Sequence, residues 1–212
     1  MAETTEPTTT ETTTEREDRF ARAEMIVEHE WAQFQEVNNT GGRAECQDNW
    51  PTFHQMRLCQ FLTWPAAALM SYSLDLDAAD ATGRNLLTEK YARMMVTTEP
   101  ERFAREISPR LPRLDPARVA RQEAIIESQV AWAQDFVARY PRLGAAMRTI
   151  TTAQDTLEAT SLETYLRGEL GTYSERTLGL YATHISALAA AGENITEQTM
   201  RFTVALSGFA SL

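Results

Sequence analysis

The chain has 212 residues and a formal net charge of −10 at pH 7, and this length suits one domain or two small ones. No basic stretch is present to displace phosphate counterions, so we expect no nucleic acid among its partners. No window approaches the roughly 18 apolar residues that mark a membrane-spanning helix, so we expect a soluble protein with no membrane partner.

The first 18 residues form a Thr/Glu-rich run with no apolar side chain after Met1. Such a segment cannot bury enough surface to offset its ordering entropy, so residues 1–18 are predicted to be a disordered tail. The run lacks the basic and apolar regions of a signal peptide, which favours a cytoplasmic location. Cys46 and Cys59 are too few for a disulfide framework, and we expect both to be free thiols.

Residues 19–212 show no sustained alternation of the kind that marks β-strands, so they are predicted to form a single all-α domain, a bundle of about six to eight helices. The first helix is predicted from about Asp18 to Val37. Its apolar side chains share an arc of about 140°, and Glu30 falls inside this arc. The arc consists of Phe20, Ala23, Ile26, Val27, Trp31, Phe34 and Val37.

The stretch from Asn38 to Trp64 begins with turn residues, since Gly41 and Gly42 supply backbone angles that other residues resist. A second helix is predicted from near Pro51, which suits the first turn of a helix. It is apolar on almost every side, and this pattern is typical of a buried central helix. Arg57 lies among its apolar side chains, so the guanidinium must reach solvent or find an internal partner.

A third helix is predicted over Ala66–Ala81, and a fourth within the segment GRNLLTEKYARMM. The fourth helix contains Lys90, the only lysine of the chain beside 19 arginines. Lys90 has leucines and a methionine at helical spacing and no acid at i±3 or i±4 to form a surface pair. A buried ammonium requires a carboxylate, so we expect Lys90 to be buried with its nitrogen hydrogen-bonded to Glu30 or Glu169.

The middle of the chain is predicted to hold one short helix, one long helix and an irregular segment. The short helix covers Pro100–Ile107. The long helix runs from its cap at Asp115 to Arg139, with Gln129 in its apolar arc. Residues 141–160 are polar and irregular, which indicates a lid or a surface loop.

The last major helical region opens with a capping-box pattern, Thr160-Ser161-Leu162-Glu163. Gly168 and Gly171 weaken this helix, so the sequence leaves open whether it continues or restarts at Ser174. Glu169 lies on its apolar side. A further helix near the end of the chain is expected to close the bundle.

Five helices each place one polar residue in an apolar face, and these residues are predicted to meet in a polar centre: Glu30, Arg57, Lys90, Gln129 and Glu169. The favoured interpretation is an enzyme or binding protein with a pocket between helices for an anionic or zwitterionic metabolite, such as an amino acid. The candidate catalytic residues are Glu30, Lys90 and Glu169. The candidate binding residues are Arg43, Trp50, His54, Arg57, Trp64, Gln129, Tyr165, Tyr173 and His184.

Each candidate has an expected role. Either carboxylate acts as general base with a pKa raised by apolar surroundings, and Lys90 acts as a point charge or a nucleophile. Arg57 binds a carboxylate or phosphate through two hydrogen bonds, and the tryptophans wall the site. Arg43 follows Gly41 and Gly42, whose backbone N–H groups are suited to an anion.

Two other interpretations stay open. The inward charges neutralise one another and fix helix register in a protein-interaction module, which an exposed apolar groove without an enclosed cavity would favour. Alternatively, the carboxylates bind a metal together with His54 and His184, but the paired Glu-x-x-His spacing of di-iron bundles is absent. Cys46 and Cys59 form no zinc pattern. We therefore name no metal ligand, and the cofactor, reaction and oligomeric state stay unspecified.

Four blocks, GGRAECQ, WPTFHQMRLCQFLTW, GRNLLTEKYARMM and TYLRGELGTYSERTL, resemble a bacterial family known as the domain of unknown function 4125. The resemblance extends over roughly Glu24 to Phe209. It implies a bacterial, intracellular protein with one domain, and it carries no reaction.

Overall fold

A computed structural model describes residues 12–38 and 42–212, which contain ten α-helices and no strand. The predicted all-α class is confirmed. The helices are α1 Thr13–Gln35, α2 Trp50–Phe61, α3 Ala66–Ala81, α4 Leu86–Thr98, α5 Pro100–Arg102, α6 Pro116–Arg139, α7 Pro141–Gly144, α8 Leu162–Leu170, α9 Glu175–Ala191 and α10 Ile195–Leu206. Because α5 and α7 span only about one turn, the eight longer helices match the upper end of the expected number.

The start of α1 corrects the predicted boundary of the tail. The Thr12 side chain accepts a hydrogen bond from the Glu15 backbone N–H, and the Glu15 side chain accepts one from the Thr12 backbone N–H. This capping box lies within the Thr/Glu run, so the helix begins at Thr13 and not near Asp18. Residues 1–11 lie outside the described residues.

Side-chain caps define the beginnings of most other helices. Each capping oxygen accepts a backbone N–H of the first turn, which would otherwise lack a partner. The caps are Asn49, Asn85, Asp115, Ser161, Ser174 and Asn194. The sequence leaves open whether the last major helix continues past Gly171 or restarts at Ser174. The cap at Ser174 begins a new helix, so α8 and α9 are separate. At its other end α9 terminates at Gly192, whose positive φ of 68° suits a residue without a side chain.

The main core contains side chains from α1, α2, α3, α4, α6, α8, α9 and α10, together with a group of aromatic rings from Trp64, Tyr72, Tyr173 and Tyr181. Helix α2 contributes to this core, but it is not covered on every side, since Met56 is 57% exposed. Two residues of the predicted apolar arcs are also exposed, since Phe20 of α1 is 41% exposed and Val119 of α6 is 37% exposed.

Two glycines let α8 approach α4 closely. A Cβ added at Gly168 would lie 2.8 Å from the backbone oxygen of Lys90, and one at Gly171 would lie 2.6 Å from Cδ of Arg93. Such distances are shorter than real carbon contacts, so neither position accepts a larger residue without movement. The glycines therefore do more than weaken a helix, because they bring Glu169 of α8 next to Lys90 of α4.

Candidate functional site

Four charged side chains from four helices meet in the interior of the bundle. Glu30 of α1, Arg57 of α2, Lys90 of α4 and Glu169 of α8 are 1%, 4%, 3% and 1% exposed. We call these four residues the charged centre. Their formal charges sum to zero, as buried ions require. The predicted convergence of these four residues is confirmed.

Arg57 bridges the two carboxylates. Its Nε donates to Oε2 of Glu30 at 2.6 Å and its Nη2 donates to Oε1 of Glu30 at 2.6 Å, which forms a bidentate pair. Nη2 also donates to Oε1 of Glu169 at 3.0 Å, and Nη1 donates to Oε2 of the same residue at 3.2 Å. Burial lowers the pKa of Arg57, but the adjacent carboxylates outweigh it and raise the pKa well above its usual value.

Lys90 is buried as predicted and donates from Nζ to Oε2 of Glu169 at 2.9 Å. The same nitrogen lies 3.7 Å from the ring centroid of Tyr165 and 5.9 Å from that of Tyr91, so two aromatic rings replace part of its hydration. Burial lowers the pKa of Lys90, and the negative charge of Glu169 only partly opposes this shift.

The carboxylates also receive hydrogen bonds from neutral groups. Tyr72 donates to Oε1 of Glu30 at 2.8 Å, and Tyr173 donates to Oε1 of Glu169 at 2.9 Å. Nε2 of Gln60 donates to Oε1 of Glu169 at 3.0 Å. Burial, followed by the nearby carboxylates, raises the pKa of both tyrosines well above its usual value, so the phenols remain hydrogen-bond donors.

The expectation of a general base with a raised pKa is wrong for Glu169. Burial does raise the pKa of this carboxyl, but the positive charges of Arg57 and Lys90 and their hydrogen bonds outweigh burial and hold it well below its usual range. Glu169 is therefore ionised at neutral pH and is a weak proton acceptor. In this ionised form, Glu169 accepts hydrogen bonds from Arg57 and Lys90 and holds both cations in place.

Tyr165 lies between the charged centre and the surface. It is half-buried, its hydroxyl accepts a hydrogen bond from Nη1 of Arg57 at 3.0 Å, and its ring covers Nζ of Lys90. Arg148 packs on the ring from the irregular segment before α8, with its Cζ 4.6 Å from the ring centroid. Arg148 is exposed and donates from Nη1 to the backbone oxygen of Thr160 at 3.0 Å. Tyr165 thus covers both cations of the centre at once.

A family model described as "Protein of unknown function (DUF4125)" matches residues 22–212. The chain belongs to this family. The matched region contains the whole charged centre and Tyr165. Among curated proteins and among solved structures, none matches the chain significantly. Membership of the DUF4125 family therefore fixes no reaction, and any functional inference depends on the geometry of the site.

Two other members of the site were not predicted, Tyr72 and Gln60. Gln60 follows Arg57 by three residues on α2, and its Oε1 accepts from Nη1 of Arg57 at 2.6 Å. Helical spacing places such a pair side by side, so this contact had a sequence signal. Tyr72 had none, because its contact with Glu30 depends on how α3 packs against α1.

Among the described residues, three predicted members of the interior form no hydrogen bond with the charged centre. Trp64 packs on Tyr173 with ring centroids 5.6 Å apart, and its Nε1 has no hydrogen-bond partner among the described residues. Gln129 accepts a hydrogen bond from Tyr181 at 3.3 Å, so it is buried as expected but bonded elsewhere. His184 is half-buried, and burial lowers its pKa.

The remaining predicted binding residues, Arg43, Trp50 and His54, lie nearer the surface. Arg43 donates to Asp48 at 2.8 Å and to the backbone oxygen of Gln47 at 2.9 Å, so it fastens the 3-10 turn at residues 45–48. Gly41, which was expected to form an anion site with it, lies outside the described residues. The ring of Trp50 packs on His54 at 5.0 Å.

Two clefts on the surface of the described residues have volumes of about 670 and 620 Å³. The first follows α6 and is lined by alanines and by Glu123, Glu127 and Glu163. The second lies among α6, α9 and α10 and contains Arg139 and Glu197, which pair with each other at 2.6 Å. Neither cleft contains a predicted site residue.

The described part of the chain contains neither a candidate metal site nor a candidate membrane-spanning helix. There, no group of three or more His, Cys, Asp or Glu residues is placed to hold a metal ion. His54 instead hydrogen-bonds Glu24 at 2.7 Å. Within the same residues, no helix combines the length and the apolar character needed to cross a membrane.

Proposed function

We propose that the charged centre binds a small anionic or zwitterionic metabolite that enters beside Tyr165. The observation that supports this proposal is that one half-buried side chain covers both Arg57 and Lys90. A rotation of Tyr165 would remove a hydrogen-bond acceptor from Arg57 and an aromatic ring from Lys90 together. Two adjacent cations that share one neutral, half-buried neighbour form a suitable site for a carboxylate or phosphate.

The bonds of Arg57 indicate where the anion binds. Nε and Nη2 hold Glu30 in a bidentate pair, which a ligand has no reason to break. Nη1 instead has two neutral acceptors, Gln60 and Tyr165, and a longer contact to Glu169. Both neutral residues are half-buried. A ligand carboxylate at Nη1 would replace them with a charged acceptor, which forms an ion pair with the guanidinium that a neutral acceptor cannot form.

A thermal-shift panel of amino acids, 2-oxo acids, phosphate and divalent metals tests this proposal. At 100 times its Kd, a ligand of the folded state stabilises it by about 2.7 kcal/mol, a shift of several degrees. Gln60→Glu places a resident carboxylate near Nη1 of Arg57 and is expected to abolish the shift. Gln55→Glu is the matched control on α2, because Gln55 is also half-buried but donates to Ser207 and to the backbone of Thr203.

The outcomes of the panel separate the alternatives. A shift with a carboxylate or phosphate compound that Q60E loses and Q55E keeps supports the site at Nη1 of Arg57. An equal thermal shift in Q60E and Q55E contradicts binding at Nη1 of Arg57. A large shift with a divalent metal alone favours the metalloprotein interpretation.

A protein-interaction module is the second candidate, and one feature of α3 favours it. Met70 and Leu74 lie one turn apart on the outward face of this helix and are 48% and 55% exposed. The adjacent positions on this face, Ala67 and Ala78, are exposed alanines. In such a module the charged centre only fixes helix register. This candidate predicts no thermal shift with any compound of the panel.

The proposal also places the protein in the cytoplasm of a bacterium. Cys46 and Cys59 are both free, the first exposed and the second buried. A reducing compartment keeps an exposed thiol in this state. The four sequence blocks that resemble a bacterial family support the proposal that the protein comes from a bacterium.

A further inference from the structure

The amine of Lys90 and the guanidinium of Arg57 share one oxygen atom. Oε2 of Glu169 accepts from Nζ of Lys90 at 2.9 Å and from Nη1 of Arg57 at 3.2 Å. A single carboxylate oxygen therefore spans the two groups. A 2-oxo acid has its carbonyl carbon bonded directly to its carboxylate, so a molecule of this class has the two groups close enough together for one to contact Nη1 and the other Nζ.

Lys90 differs chemically from every other cation of the chain. It is the only lysine beside 19 arginines, and a guanidinium does not act as an amine nucleophile. The amine is buried, with Tyr165 and Tyr91 in cation–π contact. Burial lowers its pKa, so a larger fraction is neutral near pH 7 than for an exposed lysine.

We propose that Lys90 is a nucleophile that forms an imine with the carbonyl carbon of a 2-oxo acid whose carboxylate is bound by Arg57. This inference rests on the proposed function, since it assigns the ligand class and the chemistry of the same site. No other residue of the charged centre carries a primary amine.

The step is balanced without an oxidant or a reductant. The neutral amine attacks the carbonyl carbon and forms the C–N bond, while the carbonyl electron pair moves to oxygen, which takes up the proton that nitrogen loses. The carbinolamine then expels water as nitrogen releases its second proton and the C=N bond forms. Tyr165 must rotate first, because its ring centroid lies 3.7 Å from Nζ.

Reductive trapping of the full chain tests the proposal with glyoxylate as the probe. Sodium cyanoborohydride converts an imine to a stable secondary amine, which intact mass spectrometry counts and proteolytic peptides locate. The chain has one lysine, so the N-terminal amine is the only other primary amine that competes. We expect one adduct per chain, on Lys90.

An exposed lysine in the same chain provides the reference rate. Arg105 is 71% exposed, and R105K introduces an ordinary surface amine. The neutral amine is the nucleophile and burial lowers the pKa of Lys90, so we expect Lys90 to be modified faster than the introduced lysine. Modification of the introduced lysine or of the N-terminus without modification of Lys90 overturns the proposal.

A thermal shift with glyoxylate in the absence of reductant separates this inference from the proposed function. A shift that Q60E abolishes, without an adduct on Lys90, retains the binding site and overturns the imine. Lys90→Arg should keep the shift and lose the adduct. If Lys90→Arg does not fold, the R105K variant still tests the imine, because it keeps the native Lys90. The modification rates of Lys90 and of the introduced lysine are then compared within one chain.

Discussion

The ring centroid of Tyr165 lies 3.7 Å from the Nζ atom of Lys90. This contact places a half-buried neutral side chain over a buried ammonium. The hydroxyl of the same tyrosine accepts a hydrogen bond from Arg57. Tyr165 therefore contacts both cations of the charged centre.

Replacing Lys90 with methionine is expected to lower the free energy of unfolding by about 3 kcal/mol, because it removes one partner from a buried ion pair with Glu169. Urea unfolding measures the change. Arg105→Met is the exposed control and is expected to change the free energy by no more than about 0.5 kcal/mol. A change below about 1 kcal/mol for Lys90→Met would show that Lys90 is not an essential part of the charge balance.

Gly168→Ala and Gly179→Ala form a matched pair of helical glycine substitutions. A Cβ at Gly168 would lie 2.8 Å from the Lys90 backbone oxygen and from Cγ of Met94, so we expect a loss of about 1–3 kcal/mol. A Cβ at Gly179 meets no atom of the described residues within 4 Å, and alanine there should be neutral or stabilise by up to about 1 kcal/mol. Thermal unfolding of both variants checks the contrast. Equal effects would refute the close approach of α4 and α8.

Arg118 and Arg121 both pair with Glu175 but differ in burial. Arg118 is buried and also donates to the backbone oxygens of Leu170, the last residue of α8, and of Tyr173. Arg118→Ala removes these donors and should lower the free energy of unfolding by about 2–3 kcal/mol. Arg121 is exposed, so Arg121→Ala should cost less than about 1 kcal/mol. Chemical denaturation of the two variants should show this order, and the reverse order would contradict it.

Acid stability is expected to depend on Glu169. Burial opposes its ionisation, but Arg57 and Lys90 hold its pKa well below the usual range. The stabilisation of such a carboxylate is fully present above an unfolded pKa of about 4.3 and is lost as the pH falls towards the folded pKa. Between about pH 5 and pH 3, the free energy of unfolding should therefore fall more steeply for the wild-type chain than for Glu169→Gln. Urea unfolding at several pH values compares the two slopes, and equal slopes would disprove the role of Glu169.

The sequence predicted the charged centre well because helical periodicity alone places a residue inside or outside an apolar face. Glu30, Arg57, Lys90 and Glu169 each interrupt such a face, and each is buried. Lys90 had the additional signal of lacking any acid at helical spacing. Gln129 interrupts its face in the same way but bonds to Tyr181, since periodicity gives the side of a helix and not the partner.

The parts that the sequence did not predict depend on contacts between distant segments. Arg118 donates to carbonyl oxygens more than fifty residues away, and backbone acceptors leave no pattern in the side chains. Gly168 was expected to weaken a helix, whereas it allows one helix to contact another. The fall in the pKa of Glu169 likewise required the positions of both cations, because its apolar surroundings alone favour the opposite shift.

The most direct test of the central claim uses the single lysine of the chain. Protein labelled with nitrogen-15 at lysine Nζ gives one side-chain NMR signal, and this signal reports on the charged centre alone. A carboxylate or phosphate compound that raises the melting temperature is titrated into the labelled protein. If the anion binds at the charged centre, the signal shifts with the same Kd as the thermal stabilisation. A compound that stabilises the protein while the Lys90 signal stays unchanged would bind elsewhere, and binding at the charged centre would be disproved.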